Sequence, residues 1–154
     1  MSNNSNLEES TAFRPRFGPD GLIPVVTVDE QTGEVLMHAY MNSEALDLTI
    51  GGGEAVYYSR SRARLWKKGE TSGFTQKVKE ILVDCDQDTL VLRVSVTGGA
   101  TCHTGRRSCF YRRVVKQAGA PILEPTNVPM VFDPDVVYRT PGTGPHESES
   151  REAP

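Results

Sequence analysis

The sequence has no apolar run of the roughly 18–20 residues that a helix needs to cross a bilayer. Its first stretch, Met1–Ser10, is polar and acidic, so we expect no signal peptide. It has only three cysteines, an odd number that cannot close completely into disulfides within one chain. These absences predict a cytoplasmic protein with no membrane partner, whose reduced thiols are available for metal binding or catalysis.

The chain also lacks an excess of positive charge. Its 154 residues carry a formal net charge of −3, which argues against a general nucleic-acid binder. Basic residues are nevertheless concentrated in residues 58–79 and 106–116, on either side of an acidic stretch at residues 84–88. Such clusters on an acidic protein fit a small, multiply anionic ligand, although any single lysine or arginine is more often ordinary solvated surface.

The length predicts one domain, and its predominant patterns are those of strands. We expect a β-rich α+β fold with few helices, made of an N-terminal tail (1–20), a main domain (21–115) and a proline-rich C-terminal extension (116–154) whose end, from residue 142, is flexible. Strands are predicted at residues 22–28, 34–41, 55–61, 74–84, 89–96 and 109–115.

The segments between these strands have their own signals. Residues 43–50 are predicted to form a short helix, because Asn42 is a good N-cap and Gly51–Gly53 would end it. Residues 66–72 and 97–108 are predicted to be loops. After residue 115, five prolines from Pro121 to Pro141 are predicted to prevent regular structure from running far.

The cysteines give the sharpest chemical signal. Cys85 lies between two aspartates, while Cys102 and Cys109 lie seven positions apart. Thiolates suit zinc, and three protein ligands with one open position are typical of a catalytic zinc site. The spacing is not that of a zinc finger, so the residues alone leave two alternatives open, namely three buried free cysteines or a redox pair of Cys102 with Cys109.

Three alternating aspartates, Asp84, Asp86 and Asp88, give a second signal. In an extended segment they would project to one face, and Cys85 to the other. Three carboxylates repel one another unless a cation lies among them, and their hard oxygens suit Mg²⁺ bridging to a substrate phosphate. The alternative is an acidic turn between two strands.

Histidine, glycine and tryptophan provide further candidates. His103 directly follows Cys102 and is the predicted general base, because histidine titrates near neutral pH. His38 lies on a predicted strand among apolar residues, which favours a structural role, and His146 lies in the predicted tail. Backbone N–H groups and hydroxyls of residues 69–73 can cradle a phosphate, and Trp66 can either stack on a base or pack in the core.

Five stretches together resemble phosphoribosyl-AMP cyclohydrolase. They are Ala39–Asn42, Ser59–Arg62, Leu65–Gly73, Asp84–Asp88 and Cys102–Phe110, in the family's order and spacing over residues 20–115. The resemblance implies an enzyme of the third step of histidine biosynthesis. That reaction hydrolyses the N1–C6 bond of the adenine ring in 1-(5-phosphoribosyl)-AMP and yields the formimino-carboxamide ribonucleotide.

The resemblance also implies a cytoplasmic, intertwined homodimer that uses zinc and magnesium. Carried over by position, the zinc ligands are Cys85 of one subunit with Cys102 and Cys109 of the other, and the magnesium ligands are Asp84, Asp86 and Asp88. Phe74 departs from the small polar residue of many family members. Substrate contacts are expected from Arg60, Arg62, Trp66, Lys68, Glu70, Thr71, Ser72, Arg106 and Arg107.

For the mechanism, we expect water activated by zinc to attack C6, which is electrophilic because substitution at N1 makes the ring amidinium-like. Three thiolates give the zinc site a net negative charge and activate water less than three neutral histidines would, so His103 is expected to assist as the base. The competing hypothesis is a non-enzymatic zinc module for RNA or a protein partner, with His103 as a fourth ligand. The sequence pI of about 5.6 and the aspartates argue against it.

Overall fold

The computed structural model describes residues 7–138 of the chain. The predicted flexible end at residues 142–154, including His146, lies outside the described residues. The strands are β1 (Ile23–Asp29), β2 (Val35–Met41), β3 (Val56–Ser59), β4 (Arg64–Lys67), β5 (Gln76–Val83), β6 (Leu90–Val96), β7 (Arg112–Gln117) and β8 (Ala120–Pro125), and the helices are α1 (Ser43–Gly52) and α2 (Pro134–Val137). The β-rich α+β prediction is confirmed.

A four-stranded sheet in the order β2–β1–β6–β5 organises the fold. Strands β1 and β2 form an antiparallel hairpin, β1 pairs with β6 in parallel, and β5 pairs with β6 antiparallel. The hairpin turn is stabilised by Asp29, whose Oδ1 accepts hydrogen bonds from the backbone N–H groups of Gln31 and Thr32 at 2.9 Å each. Two smaller antiparallel pairs, β3–β4 and β7–β8, complete the strands.

The core follows from alternating apolar residues on the central strands. Leu90, Leu92 and Val94 of β6 are fully buried, as are Ile23 and Val25 of β1. Helix α1 adds a buried face of its own. As predicted, Asn42 caps this helix by accepting a 2.8 Å hydrogen bond from the Ala45 N–H, and Gly53, at φ 73°, ends it in the left-handed conformation that glycine adopts readily.

A chain of polar side chains crosses this core at Tyr57, which is fully buried. Its hydroxyl lies 2.7 Å from the Thr27 hydroxyl and donates to Gln76 Oε1 at 2.6 Å. Gln76 Nε2 in turn donates to Met37 Sδ at 3.2 Å. Burial raises the pKa of Tyr57, so the phenol stays neutral and remains a donor.

The substitution Tyr57→Phe is expected to lower the free energy of unfolding by about 1–3 kcal/mol, because it leaves Gln76 Oε1 and the Thr27 hydroxyl buried without their partner. Denaturant unfolding of the two proteins measures this difference. Tyr58→Phe is the matched control, since the Tyr58 hydroxyl makes no hydrogen bond within residues 7–138, and it should change stability by less than about 0.5 kcal/mol. Equal effects of the two substitutions would contradict the stabilising role of the network.

Two predictions about regular structure are wrong. Residues 66 and 67 belong to β4 rather than to a loop, because Trp66 pairs with the buried Tyr57 and Lys67 with Val56. The prolines after residue 115 do not prevent β8, which pairs along its whole length with β7. Pro121 and Pro125 are accommodated because a two-stranded hairpin consists of edge strands, where a missing N–H need not break a ladder. Strand β7 also continues across the predicted boundary at residue 115.

Candidate functional site

A cleft of about 500 Å³ lies between strand β2, strand β4 with the loop that follows it, and the loop of residues 97–111. Many of the predicted site residues share its wall. The predicted general base His103 and the predicted zinc ligand Cys109 are among them. Of the nine residues expected to contact substrate, the cleft is lined by Arg62, Trp66, Lys68, Glu70, Thr71 and Ser72.

The other three predicted substrate residues lie outside this cleft. The Arg60 guanidinium lies over the Tyr40 ring, 4.2 Å from its centroid, and the Arg106 guanidinium lies 4.1 Å from the centroid of Tyr111. Arg107 forms an ion pair with Glu34, with its Nε 2.7 Å from Oε2. Their roles in substrate binding stay predictions.

The loop that carries Cys102, His103 and Cys109 is tightly folded. The Cys102 N–H donates to the Arg106 carbonyl at 3.0 Å, and the Cys102 carbonyl accepts from the Gly105 N–H at 3.0 Å. The Cys102 thiol is buried and its sulfur accepts a 3.0 Å hydrogen bond from the Thr104 hydroxyl. His103, by contrast, projects as an exposed side chain into the cleft wall.

The second cysteine of this loop is fixed against the edge of the main sheet. Ser108 is buried and its hydroxyl donates to the Val35 carbonyl on β2 at 2.7 Å. The next residue, Cys109, donates its backbone N–H to the Leu36 carbonyl at 2.7 Å. Pairing with an edge strand therefore sets the position of the Cys109 thiol relative to Met37 and His38, which lie on the same strand and line the cleft.

Lys68 links the two thiols electrostatically. Its ammonium group donates a hydrogen bond to the Thr101 carbonyl, and burial lowers its pKa while the neighbouring Cys109 and Cys102 oppose that change. Burial and the adjacent Cys102 raise the pKa of Cys109 to about 12. Without a bound cation the pair thus stays protonated, whereas a divalent metal would favour the two thiolates, which is the donor chemistry of a zinc site.

Cys85 does not join this pair within one chain. It is exposed in the turn before β6, while Cys102 lies in the loop after β6. The strand has seven residues, so its ends are about 20 Å apart at roughly 3.3 Å per residue. The fold of a single chain therefore brings together two of the three predicted zinc ligands.

The three aspartates converge, although their segment is a turn rather than the extended stretch expected from their alternation. The Asp84 carbonyl accepts from the Gln87 N–H at 3.1 Å, and Asp84 Oδ1 accepts from the N–H groups of Asp88 and Thr89 at 2.9 and 3.1 Å. Carboxylate oxygens of Asp84, Asp86 and Asp88 lie within 4.8 Å of one another. Contact with Asp84 and Asp86 raises the pKa of Asp88, so the cluster is short of a cation.

Four cleft residues are not predicted by the sequence patterns: Met37, His38, Thr101 and Tyr138. His38 was expected to be structural because its neighbours are apolar, but in β2 it points away from the core and packs edge-on against Tyr40, with ring centroids 4.9 Å apart. Strict alternation along β2 is the signal that could have found it. No local signal places Tyr138, which comes from the proline-rich segment.

Phe74, the departure from the resembled pattern, does not line the cleft. Its ring stacks on Phe132, with centroids 4.8 Å apart and an interplanar angle of 24°. It also covers Gly98, where a Cβ would lie 2.2 Å from the Phe74 ring. Phe74 therefore contributes to packing between the loop after β4 and the C-terminal segment.

Neither α1 nor α2, nor any other helix within residues 7–138, is long and apolar enough to span a membrane.

Comparisons with known proteins agree on one family. A family model described as phosphoribosyl-AMP cyclohydrolase matches residues 37–111, which include most of the cleft. A phosphoribosyl-AMP cyclohydrolase of Rhodopseudomonas palustris (strain TIE-1) is 60% identical over 134 residues, 86% of this chain and 89% of the relative. A relative of the same name from Rhizobium rhizogenes is 55% identical over 136 residues, 88% of this chain and 91% of the relative. The chain belongs to the phosphoribosyl-AMP cyclohydrolase family of enzymes.

Proposed function

We propose that this enzyme, a hydrolase of histidine biosynthesis, opens the adenine ring of 1-(5-phosphoribosyl)-AMP at the N1–C6 bond. The observation that carries the proposal is the cleft, in which six predicted substrate residues, His103 and one of two adjacent thiols share one wall. A volume of about 500 Å³ is in the range of sites for small molecules of this size. The substrate is accordingly a nucleotide and not a polymer.

Zinc is proposed to be held by Cys102 and Cys109 of one subunit together with Cys85 of the other. Two observations support this arrangement, namely the adjacency of Cys102 and Cys109 and the exposure of Cys85 at the far end of β6. When bound, zinc supplies a Lewis acid that activates water for hydrolysis. The reducing conditions that such thiols require fit the proposed cytoplasmic location.

The proposed homodimer is supported by the β7–β8 hairpin. Almost all of its residues are exposed, and several are apolar, including Val114 at 73%, Leu123 at 53% and Ile122 at 42% of their full exposure. An isolated two-stranded hairpin is only marginally stable in water. A second copy that covers this hairpin would bury the apolar side chains and bring Cys85 to the paired thiols.

Magnesium is proposed to bind the aspartate turn. The carboxylates of Asp84, Asp86 and Asp88 offer hard oxygen ligands close enough to share one ion, and their mutual repulsion is relieved by a divalent cation. There the ion would help to neutralise a substrate phosphate, a task shared with basic residues such as Arg62 and Lys68 in the cleft.

The side chains of the cleft have separate tasks in this proposal. His103 accepts a proton from the attacking water as its oxygen bonds to C6, and it returns that proton to N1 as the N1–C6 bond breaks. Trp66 packs beside the purine, and the hydroxyls of Thr71 and Ser72 bind phosphate. No redox partner is needed, because the step adds one water across one bond.

The proposal is tested by mixing the purified protein with 1-(5-phosphoribosyl)-AMP and following the absorbance change on ring opening. Turnover that is lost with a chelator and restored by added zinc is the expected result. A zinc-loaded, folded protein that leaves the substrate unchanged would overturn the proposed activity and favour the non-enzymatic zinc module instead.

A further inference from the structure

The segment Pro129–Tyr138, which we call the C-terminal strap, lies across the loop that carries Cys102, His103 and Cys109. The N–H groups of Val131 and Phe132 both donate to the Gly105 carbonyl, at 2.6 and 3.3 Å. The Arg107 N–H donates to the Pro129 carbonyl at 3.3 Å. The strap is thus hydrogen-bonded to the backbone of the loop and lies outside the 37–111 range matched by the family model.

Gly105 is what allows this close approach. It adopts φ +87°, and a Cβ there would lie 2.1 Å from the Phe132 carbonyl oxygen. Only glycine therefore permits the strap to lie this near the cysteine loop. Beyond this crossing, the Phe74–Phe132 ring stack fixes the strap a second time, on the loop that follows β4.

These two attachments bring Tyr138 to the cleft. After Phe132 the chain enters α2, whose first turn is capped by Asp133 accepting a 2.9 Å hydrogen bond from the Asp135 N–H. The Tyr138 N–H closes the turn on the Pro134 carbonyl at 3.0 Å. Its ring lies 6.0 Å from that of Phe132, and its partly exposed side chain lines the same cleft as Trp66 and His103.

We propose that Tyr138 is a substrate-contacting residue, whose ring packs against the purine of the bound nucleotide, and that the strap holds it there. The inference rests on the function proposed above and adds to the cleft a second aromatic side chain beside Trp66, supplied by the proline-rich extension. An aromatic side chain in a nucleotide cleft contributes chiefly by stacking, a contact made in the ground state as well as in the transition state. Loss of the ring therefore weakens binding more than chemistry.

The test measures KM and kcat for 1-(5-phosphoribosyl)-AMP in the zinc-loaded wild type, Tyr138→Ala, Tyr138→Phe and Val136→Ala. Tyr138→Ala is expected to raise KM about tenfold with kcat changed less than threefold, whereas Tyr138→Phe keeps the ring and stays within about twofold of wild type. Val136, an exposed residue of the same short helix that does not line the cleft, is the matched control and should change neither constant.

Binding is measured separately by titrating each protein with AMP and following the fluorescence of Trp66, the chain's single tryptophan, which lines the cleft. The midpoint is expected to shift about tenfold in Tyr138→Ala only. An active wild type with unchanged KM and midpoint in Tyr138→Ala would overturn the role of Tyr138 alone. A wild type that binds AMP but does not turn over would overturn the proposed activity, and the AMP midpoints would still decide the role of Tyr138. A wild type that does neither would overturn both.

Discussion

Cys102→Ser is expected to reduce bound zinc to background and turnover below detection. The substitution changes one buried atom, so its effect reports chemistry more than packing. A serine hydroxyl is a hard, protonated group at neutral pH, whereas zinc binds the soft thiolate at about 2.3 Å. The proposed site has only three protein ligands, so the loss of one leaves too few to retain the ion.

The measurement is metal content after dialysis, by atomic emission, alongside kcat on 1-(5-phosphoribosyl)-AMP. Thr104→Ser is the matched control in the same loop, because it keeps a hydroxyl that can donate to the Cys102 sulfur. It should retain zinc and most of the activity. Wild-type zinc content and turnover in Cys102→Ser would remove Cys102 from the metal site.

His103→Ala is expected to lower kcat by about 10²–10⁴ while zinc content stays at the wild-type level. The reason is that His103 is an exposed side chain of the cleft wall, placed to move a proton and not needed for the core. His38→Ala is the matched control, since His38 is also exposed in the same cleft, and it should cost less than about tenfold.

The two histidine variants separate three roles. A kcat for His103→Ala within about twofold of wild type would exclude His103 as the base. Loss of zinc in His103→Ala would instead make it a metal ligand, as the non-enzymatic zinc module requires. If His38→Ala had the larger effect on kcat, the assignment of the base would pass to His38.

Much of the main sheet could be predicted from the sequence, because its strands are bounded by strong local signals. Alternating buried residues define β1 and β6, and the Asn42 cap with the glycines after Thr49 defines α1. Strand β8 could not be predicted in this way. Its prolines are unfavourable in isolation, and it forms because β7 supplies a partner along its whole length.

The candidate site was predictable where chemistry is specific to residue type and not where it depends on neighbours. Cysteine and aspartate have few roles, so their clustering along the chain was enough to indicate metal sites. Arginine has many roles, and the sequence cannot show that Arg60 and Arg106 lie over aromatic rings while Arg107 pairs with Glu34. Tyr138 depends on a strap whose attachment through Gly105 involves contacts distant in sequence.

The central claim, a zinc site completed by a second copy of the chain, is tested most directly by mixing two inactive variants. Cys85→Ser and Cys102→Ser each disable every site in their own homodimers. In a mixed dimer one site has both substitutions and the other has none, so random exchange of subunits should restore about a quarter of the wild-type activity. If each site were built from a single chain, the mixture would stay inactive, and that result would contradict the shared site.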